Sequence, residues 1–103
     1  STLVVWMGEF GRTPTINRNK GRDHFPGAWT TVLSGGGIKG GQSYGETSAD
    51  GMTVKDNPVK VPDLLATVSR ALGIDPTKQN ISNVGRPIRI TDTEAKPIEE
   101  ILV

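Results

Sequence analysis

The chain has 103 residues and a formal net charge of +1 at pH 7. It therefore has no strong positive electrostatic potential that would attract nucleic acid or an acidic membrane surface. It contains no cysteine, which excludes disulfides and thiolate metal ligands. Hydrophobic residues make up 34% of the chain, beside 13 glycines and 7 prolines, and this composition predicts one modest core with many turns.

The first predicted element is a strand over residues 2–7, with the sequence TLVVWM. This continuous apolar and β-branched run is typical of a strand that is buried on both faces, in a parallel sheet covered by helices. The sequence opens inside this run and lacks an initiator Met. We therefore expect the C-terminal piece of a longer protein, with processing of a natural precursor as the alternative. Every apolar run is far shorter than the about 20 residues that span a bilayer.

A long polar stretch, residues 9–27, follows the first strand and is predicted to be a loop. Loops of that length in compact domains are usually functional or disordered. A second strand is predicted over residues 28–34, AWTTVLS. The sequence GGGIKG, residues 35–40, matches the dinucleotide pattern G-x-G-x-x-G, but no helical pattern follows it. We expect a glycine turn that leads into a short strand or hairpin around residues 38–47.

One helix is predicted from the sequence VPDLLATVSRALGID, residues 61–75. Pro62 suits the first helical turn, Asp63 complements the positive end of the helix dipole, and Gly73 is a natural stop. An apolar stripe at helical spacing predicts the face that is buried in the core. Its members are Val61, Leu64, Leu65, Val68, Ala71 and Leu72.

The C-terminal part of the chain is predicted to end in a hairpin. Residues 75–87 have the composition of a loop. The sequences RPIRIT and KPIEEILV then predict two short strands around a turn at residues 92–96. Strands mixed with one helix indicate the α/β class, in which helices cover a sheet.

Glu9 and Arg12 lie just beyond the first predicted strand. Ligands of doubly wound sheets bind beyond the carboxyl ends of the strands. A carboxylate there can bind a hard cation or act in acid–base chemistry, and a guanidinium can hold phosphate or sulfate oxygens. The alternative is a Glu9–Arg12 ion pair that braces the loop, and the spacing does not separate the two interpretations.

His24 is the only histidine of the chain, and it follows Asp23 just before the second predicted strand. Imidazole is a ligand for zinc or iron, and a neighbouring carboxylate adds charge. Adjacent side chains point apart in extended chain, so one of the two would contact a given metal ion. The alternative is a loop histidine capped by Asp23. Glu9 and the Asp23-His24 pair both lie at the ends of apolar strands, which makes a shared site possible.

Three segments of the chain resemble one known family: GEFGRTP, GRDHFPGAWTTVLSGGGIKGGQSYGET and VPDLLATVSRALGID. The resemblance is to the C-terminal part of the DUF1501 proteins, bacterial proteins grouped with the alkaline phosphatase and sulfatase superfamily. It runs over nearly all of the chain, including the sequence of the final hairpin. It implies that residues 1–103 are the C-terminal part of a single larger α/β/α sandwich with a terminal β-hairpin. The partner of this part would be the missing N-terminal part of the same protein.

Proteins of the wider superfamily bind metal ions at the carboxyl ends of strands and hydrolyse or transfer phosphate or sulfate esters. The resemblance therefore implies a divalent metal ion, zinc or calcium, held by Glu9, Asp23 and His24. Arg12 would orient an anionic ester, either a small molecule or a sulfated or phosphorylated glycan. Phe10 stands where the superfamily has a metal-binding histidine. The nucleophile of the superfamily has no counterpart in this chain.

A different class of function is compatible with the same resemblance. A non-catalytic DUF1501 protein would keep the fold and bind a glycan, a surface polymer or a partner, and Phe10 favours this alternative. Family members often carry export signals, frequently of the twin-arginine type, which implies an exported or periplasmic location. We expect neither a nucleic-acid ligand nor a membrane span.

Overall fold

The computed structural model describes residues 2–103 as one α-helix with several short strand pairs. The strands pair as four two-stranded sheets, β1 with β4, β2 with β3, β5 with β6 and β7 with β8. The last three pairs are antiparallel. This mixture confirms the α/β class. The strands are β1 (Leu3–Trp6), β2 (Gly11–Arg12), β3 (His24–Phe25), β4 (Val32–Gly35), β5 (Glu46–Thr47), β6 (Val54–Asp56), β7 (Gln79–Ile81) and β8 (Pro87–Arg89), beside helix α1 (Val61–Ala71) and a 3-10 helix (Glu99–Ile101).

The described chain divides into two compact units. The first contains residues 2–3, 34–42 and 59–103, and therefore α1, the β7–β8 hairpin and the 3-10 helix. The second contains residues 4–33 and 43–58, and therefore the β2–β3 and β5–β6 hairpins.

Helix α1 begins and ends where the sequence predicts. A carboxylate oxygen of Asp63 accepts a hydrogen bond from the Lys60 N–H at 3.2 Å, which satisfies one free donor of the first turn. Gly73 has a φ of 79°, and the N–H groups of Gly73 and Ile74 bond back to carbonyls of the last turn. This is the Schellman arrangement, which glycine adopts without steric cost.

The buried part of α1 is centred on Ala66 and Thr67, which have no exposed surface. The Thr67 Oγ1 donates to the Asp63 carbonyl at 2.7 Å and accepts from the Ile98 N–H at 2.9 Å. Ile98, Ile101 and Leu102 are also buried. The C-terminal segment is therefore tied to the helix through one buried hydroxyl.

The predicted apolar stripe of α1 is wrong as a description of the core. Val61, Leu65 and Leu72 are all more than half exposed, and the members between them are only half-buried. The segment that reaches the helix is short and is anchored at Thr67, so it covers a face centred on Ala66 and Thr67 rather than the whole stripe.

The region between the first strand and the helix differs from the prediction at two points. Residues 9–27 are more than a loop, because they contain the β2–β3 hairpin. The hairpin expected around residues 38–47 lies later, as β5 and β6, whereas Ile38 forms an isolated bridge with Leu102. Strands of two residues are too short to show the alternation by which a strand is recognised in a sequence.

A hairpin lies in the C-terminal part of the chain, but the predicted one is wrong, because the two predicted strands do not pair with each other. β8 pairs instead with β7, which lies inside the predicted loop of residues 75–87. Hydrogen bonds from Ser82 and Gly85 close the intervening turn, and Gly85 has a φ of 79°. The last apolar stretch, KPIEEILV, contains the 3-10 helix rather than a strand.

Strand β1 is confirmed, but its predicted burial on both faces is not found in the described chain. Val4 is 55% exposed and Trp6 is 76% exposed. These side chains give the sheet of β1 and β4 an open apolar surface. Among residues 2–103, no helix has the length and apolar character that a membrane crossing requires.

Candidate functional site

The candidate site is built on the β2–β3 hairpin. Its register pairs Gly11 with Phe25 and Arg12 with His24. Directly opposed residues of an antiparallel pair place their side chains on the same face, so Arg12 and His24 are cross-strand neighbours. The Thr13 N–H donates to the Asp23 carbonyl at 3.0 Å and continues the pairing beyond the two strands.

Gly11 allows the hairpin to lie against the chain that follows it. A Cβ atom at Gly11 would stand 2.4 Å from the carbonyl oxygen of Ala28 and 2.9 Å from the Cβ of Trp29. Backbone atoms cannot move away cheaply, so a larger residue would displace the hairpin. Gly11, the second glycine of GEFGRTP, is therefore required by close packing rather than by flexibility.

The loop at the end of the hairpin is held by two of its own polar side chains. The Arg22 Nη1 donates to the carbonyls of Thr13 at 2.8 Å and Pro14 at 2.7 Å. The Asn17 Oδ1 accepts from the N–H groups of two later loop residues at 2.9 and 3.0 Å. Arg22 therefore stabilises the loop in which it lies. Sequence reasoning missed this role of Asn17 and Arg22, and an asparagine in a polar loop, four residues before a glycine, is the signal that could have indicated it.

Asp23 is fixed by the same loop. Its Oδ1 accepts a hydrogen bond from the Asn17 Nδ2 at 3.1 Å, and its N–H donates to the Thr13 Oγ1 at 3.2 Å. The side chain is exposed. The carboxylate therefore has a preferred position against Asn17 while it stays accessible to a ligand from solvent.

His24 contacts the aromatic ring that precedes the hairpin. The centroids of the Phe10 and His24 rings are 3.9 Å apart, and their planes make an angle of 31°. The Arg12 Cζ lies 5.6 Å from the centroid of Phe10, within cation–π range. The lone pair of an imidazole lies in the plane of the ring, so contact with the ring face leaves it free for a proton or a metal ion.

Arg12 does not form the alternative ion pair with Glu9. Within residues 2–103 these two side chains make no salt bridge, and the Arg12 Nη1 donates to the Arg22 carbonyl at 3.1 Å. A guanidinium has five N–H donors, so this bond leaves others for an anion. Glu9 is exposed next to Phe10. Arg12 therefore does brace the loop, but it bonds to the backbone carbonyl of Arg22 rather than to the carboxylate of Glu9.

The structure brings Arg12, Asp23 and His24 together on one hairpin, with Glu9 just before it. In the part of the chain that the structure describes, no group of three or more His, Asp or Glu side chains is arranged to hold a metal ion. The assignment of Glu9, Asp23 and His24 as metal ligands stays a prediction.

A comparison with family models covers the whole of this hairpin. The model of DUF1501, a protein family described as of unknown function, matches residues 1–102. The chain belongs to the DUF1501 family. The family prediction is thereby confirmed, while the place of DUF1501 in the phosphatase and sulfatase superfamily stays a prediction. No curated protein and no solved structure matches this DUF1501 chain.

Proposed function

We propose that this DUF1501 chain is part of a metal-dependent hydrolase that acts on sulfate or phosphate esters. Glu9, Asp23 and His24 supply metal ligands, and Arg12 orients the anionic group. The observation that carries the proposal is the register of the hairpin, which pairs Arg12 with His24. Asp23 directly precedes His24 in the chain. One exposed hairpin thus offers an imidazole, a carboxylate and a guanidinium.

The donor set favours zinc over calcium. Calcium takes oxygen ligands almost exclusively, whereas zinc accepts imidazole nitrogen together with carboxylate oxygen. When bound, such an ion polarises the ester oxygen and stabilises developing negative charge. Arg12 contributes donors to the sulfate or phosphate oxygens, and a planar guanidinium can meet two of them at once. The substrate is a small anionic ester or a sulfated or phosphorylated glycan.

The remaining catalytic groups belong to another part of the protein in this proposal. The nucleophile would come from an N-terminal part that completes an α/β/α sandwich with residues 1–103. The exposure of Val4 and Trp6 supports this arrangement, because so apolar a strand is stable when both faces are covered. An exported or periplasmic location is part of the proposal and rests on the family resemblance alone.

The test uses the full-length protein, with metal content measured by mass spectrometry and hydrolysis measured with para-nitrophenyl sulfate and para-nitrophenyl phosphate. His24→Ala and Glu9→Ala should each lower the bound metal and the rate of hydrolysis. Glu46→Ala, which removes an exposed carboxylate on β5, is the matched control and should change neither. Metal content and activity that stay unchanged in both site variants would sink the assignment.

A non-catalytic binding protein is the second candidate, and Phe10 is the observation that favours it. Its ring lies against His24, at the position where a metal-binding histidine is expected. In this case Arg12 would pair with the sulfate groups of a glycan. Full-length protein that is metal-free and inactive, but binds dextran sulfate and loses this binding in Arg12→Ala, would support the second candidate over the first.

A further inference from the structure

The unit that contains α1 has an open cavity of about 490 Å³, bordered by the end of that helix and by the β7–β8 hairpin. This volume is in the range of sites for small molecules. Arg70, Asp75 and Arg89 line it together with apolar residues such as Ile74, Pro76 and Pro97. None of the residues of the proposed hydrolase site takes part.

Arg89 is the unusual group of this cavity. Its Nε is shielded from solvent and has no hydrogen-bond acceptor among residues 2–103. Among residues 2–103, Arg70 forms an ion pair with Glu99, whereas Arg89 forms no ion pair. A shielded donor without an acceptor is unfavourable, and native structures contain few of them.

The acidic side chains near Arg89 are already engaged elsewhere. The Asp75 Oδ1 accepts from the N–H of Thr77 at 2.9 Å and from its hydroxyl at 2.7 Å. The Arg70 Nη1 pairs with the Glu99 Oε1 at 3.2 Å. Two guanidinium groups and one carboxylate line the cavity. Because Arg70 is paired with Glu99, Arg89 is the lining guanidinium that has no ion-pair partner among residues 2–103.

We propose that this cavity binds a small organic carboxylate, with Arg89 as the partner of the carboxylate group. A guanidinium matches a carboxylate through two parallel N–H···O bonds, and Arg89 has its donors free. Binding requires a turn of the Arg89 side chain that brings its Nε towards the cavity. Ile74, Pro76 and Pro97 provide the apolar wall for the rest of the molecule. One guanidinium without an ion pair, next to an apolar wall, favours a monoanion with an apolar body over inorganic phosphate.

The proposal is tested on the full-length protein with benzoate as the probe and with NMR of the arginine Nε–H groups as the readout. Benzoate should shift the Arg89 Nε–H signal in a saturable manner, with a Kd in the millimolar range or below. Arg89→Lys keeps the charge but loses the planar pair of donors, and should weaken benzoate binding by about tenfold or more. Arg86→Lys is the matched control on the same hairpin, just before β8, and should leave the affinity unchanged.

Neutral benzyl alcohol should bind about tenfold more weakly than benzoate or not at all, because it lacks the charge. The proposal is overturned if benzoate produces no saturable shift of the Arg89 signal, or if benzyl alcohol binds equally well. It is also overturned if phosphate binds where benzoate does not, or if Arg86→Lys weakens binding as much as Arg89→Lys. Should Arg89→Lys fail to fold, the comparison of benzoate with benzyl alcohol on the unaltered protein still decides.

Discussion

The ring of Phe10 lies against the imidazole of His24, with centroids 3.9 Å apart and planes inclined by 31°. An aromatic contact of this kind restricts the orientation of the imidazole, while the lone pair of its unprotonated nitrogen stays in the ring plane. Phe10 therefore positions His24 but adds no ligand atom of its own. If this hairpin binds a metal ion, the side chain at position 10 limits how tightly it does so.

Replacement of Phe10 by histidine should strengthen metal binding. Phe10→His places a second imidazole beside His24, and we expect the affinity of the full-length protein for zinc to rise by about tenfold or more. Competition with a chromogenic chelator measures this affinity. Phe10→Tyr keeps an aromatic ring without an imidazole nitrogen and is the control. Equal zinc affinity in Phe10→His and Phe10→Tyr would contradict the placement of position 10 next to a metal site.

The sequence predicts α1 well because its signals are local. Pro62, Asp63 and Gly73 act within one turn of a helix end, and each is found in its expected role. The face that α1 buries could not be predicted, because it depends on contact with Ile98, far along the chain. The β2–β3 hairpin escaped prediction for a similar reason, since it is held by side-chain bonds within its loop rather than by an apolar alternation.

The candidate site was predictable only in part. The pairing of Arg12 with His24 follows from the hairpin register, which no spacing in the sequence indicates. Residue types alone suggested the Glu9–Arg12 ion pair, but the backbone carbonyl of Arg22 accepts from Arg12 instead. Backbone carbonyls compete with carboxylates for the arginine donors, and which acceptor wins depends on the folded structure rather than on the sequence spacing.

The buried hydroxyl of Thr67 should contribute more to stability than its methyl group. Thr67→Val keeps the shape but leaves the Ile98 N–H without its acceptor, and should cost about 1–3 kcal/mol in the free energy of unfolding. Thr67→Ser keeps the hydroxyl and should cost about 1 kcal/mol. Urea unfolding of the full-length protein measures both changes. Amide exchange of Ile98 should accelerate in the valine variant alone, and acceleration of equal size in the serine variant would contradict this role of the hydroxyl.

Gly37 and Gly73 should differ in their tolerance of alanine, although their φ angles are nearly equal at 81° and 79°. A Cβ at Gly73 meets no atom within 4 Å, so Gly73→Ala should cost about 1 kcal/mol, from backbone strain alone. A Cβ at Gly37 would stand 2.5 Å from the Ala71 carbonyl oxygen, so Gly37→Ala should cost about 2 kcal/mol or more. The same urea experiment compares the two variants. A smaller cost for Gly37→Ala than for Gly73→Ala would refute the close approach to Ala71.

The hydroxyl of Thr77 should control the titration of Asp75. Hydrogen bonds from the Thr77 hydroxyl and N–H, with smaller contributions from the charges of Arg70 and Arg89, hold the pKa of Asp75 below its usual 3.8. Thr77→Ala removes the largest of these causes, so the pKa of Asp75 should rise towards 3.8.

A lowered pKa in the folded state stabilises the protein at pH values above 3.8, and this contribution is lost as the pH falls through the folded-state pKa. Thr77→Ala should therefore reduce stability at neutral pH and have little effect below the pKa of the folded state. NMR of the carboxyl groups follows the titration, with Asp50 as the internal control, because the pKa of Asp50 is lowered chiefly by Ser48. Ser48→Ala should raise the pKa of Asp50 and leave that of Asp75 in place. If the pKa values of Asp75 and Asp50 are both unchanged in Thr77→Ala, the hydroxyl of Thr77 does not lower the pKa of Asp75.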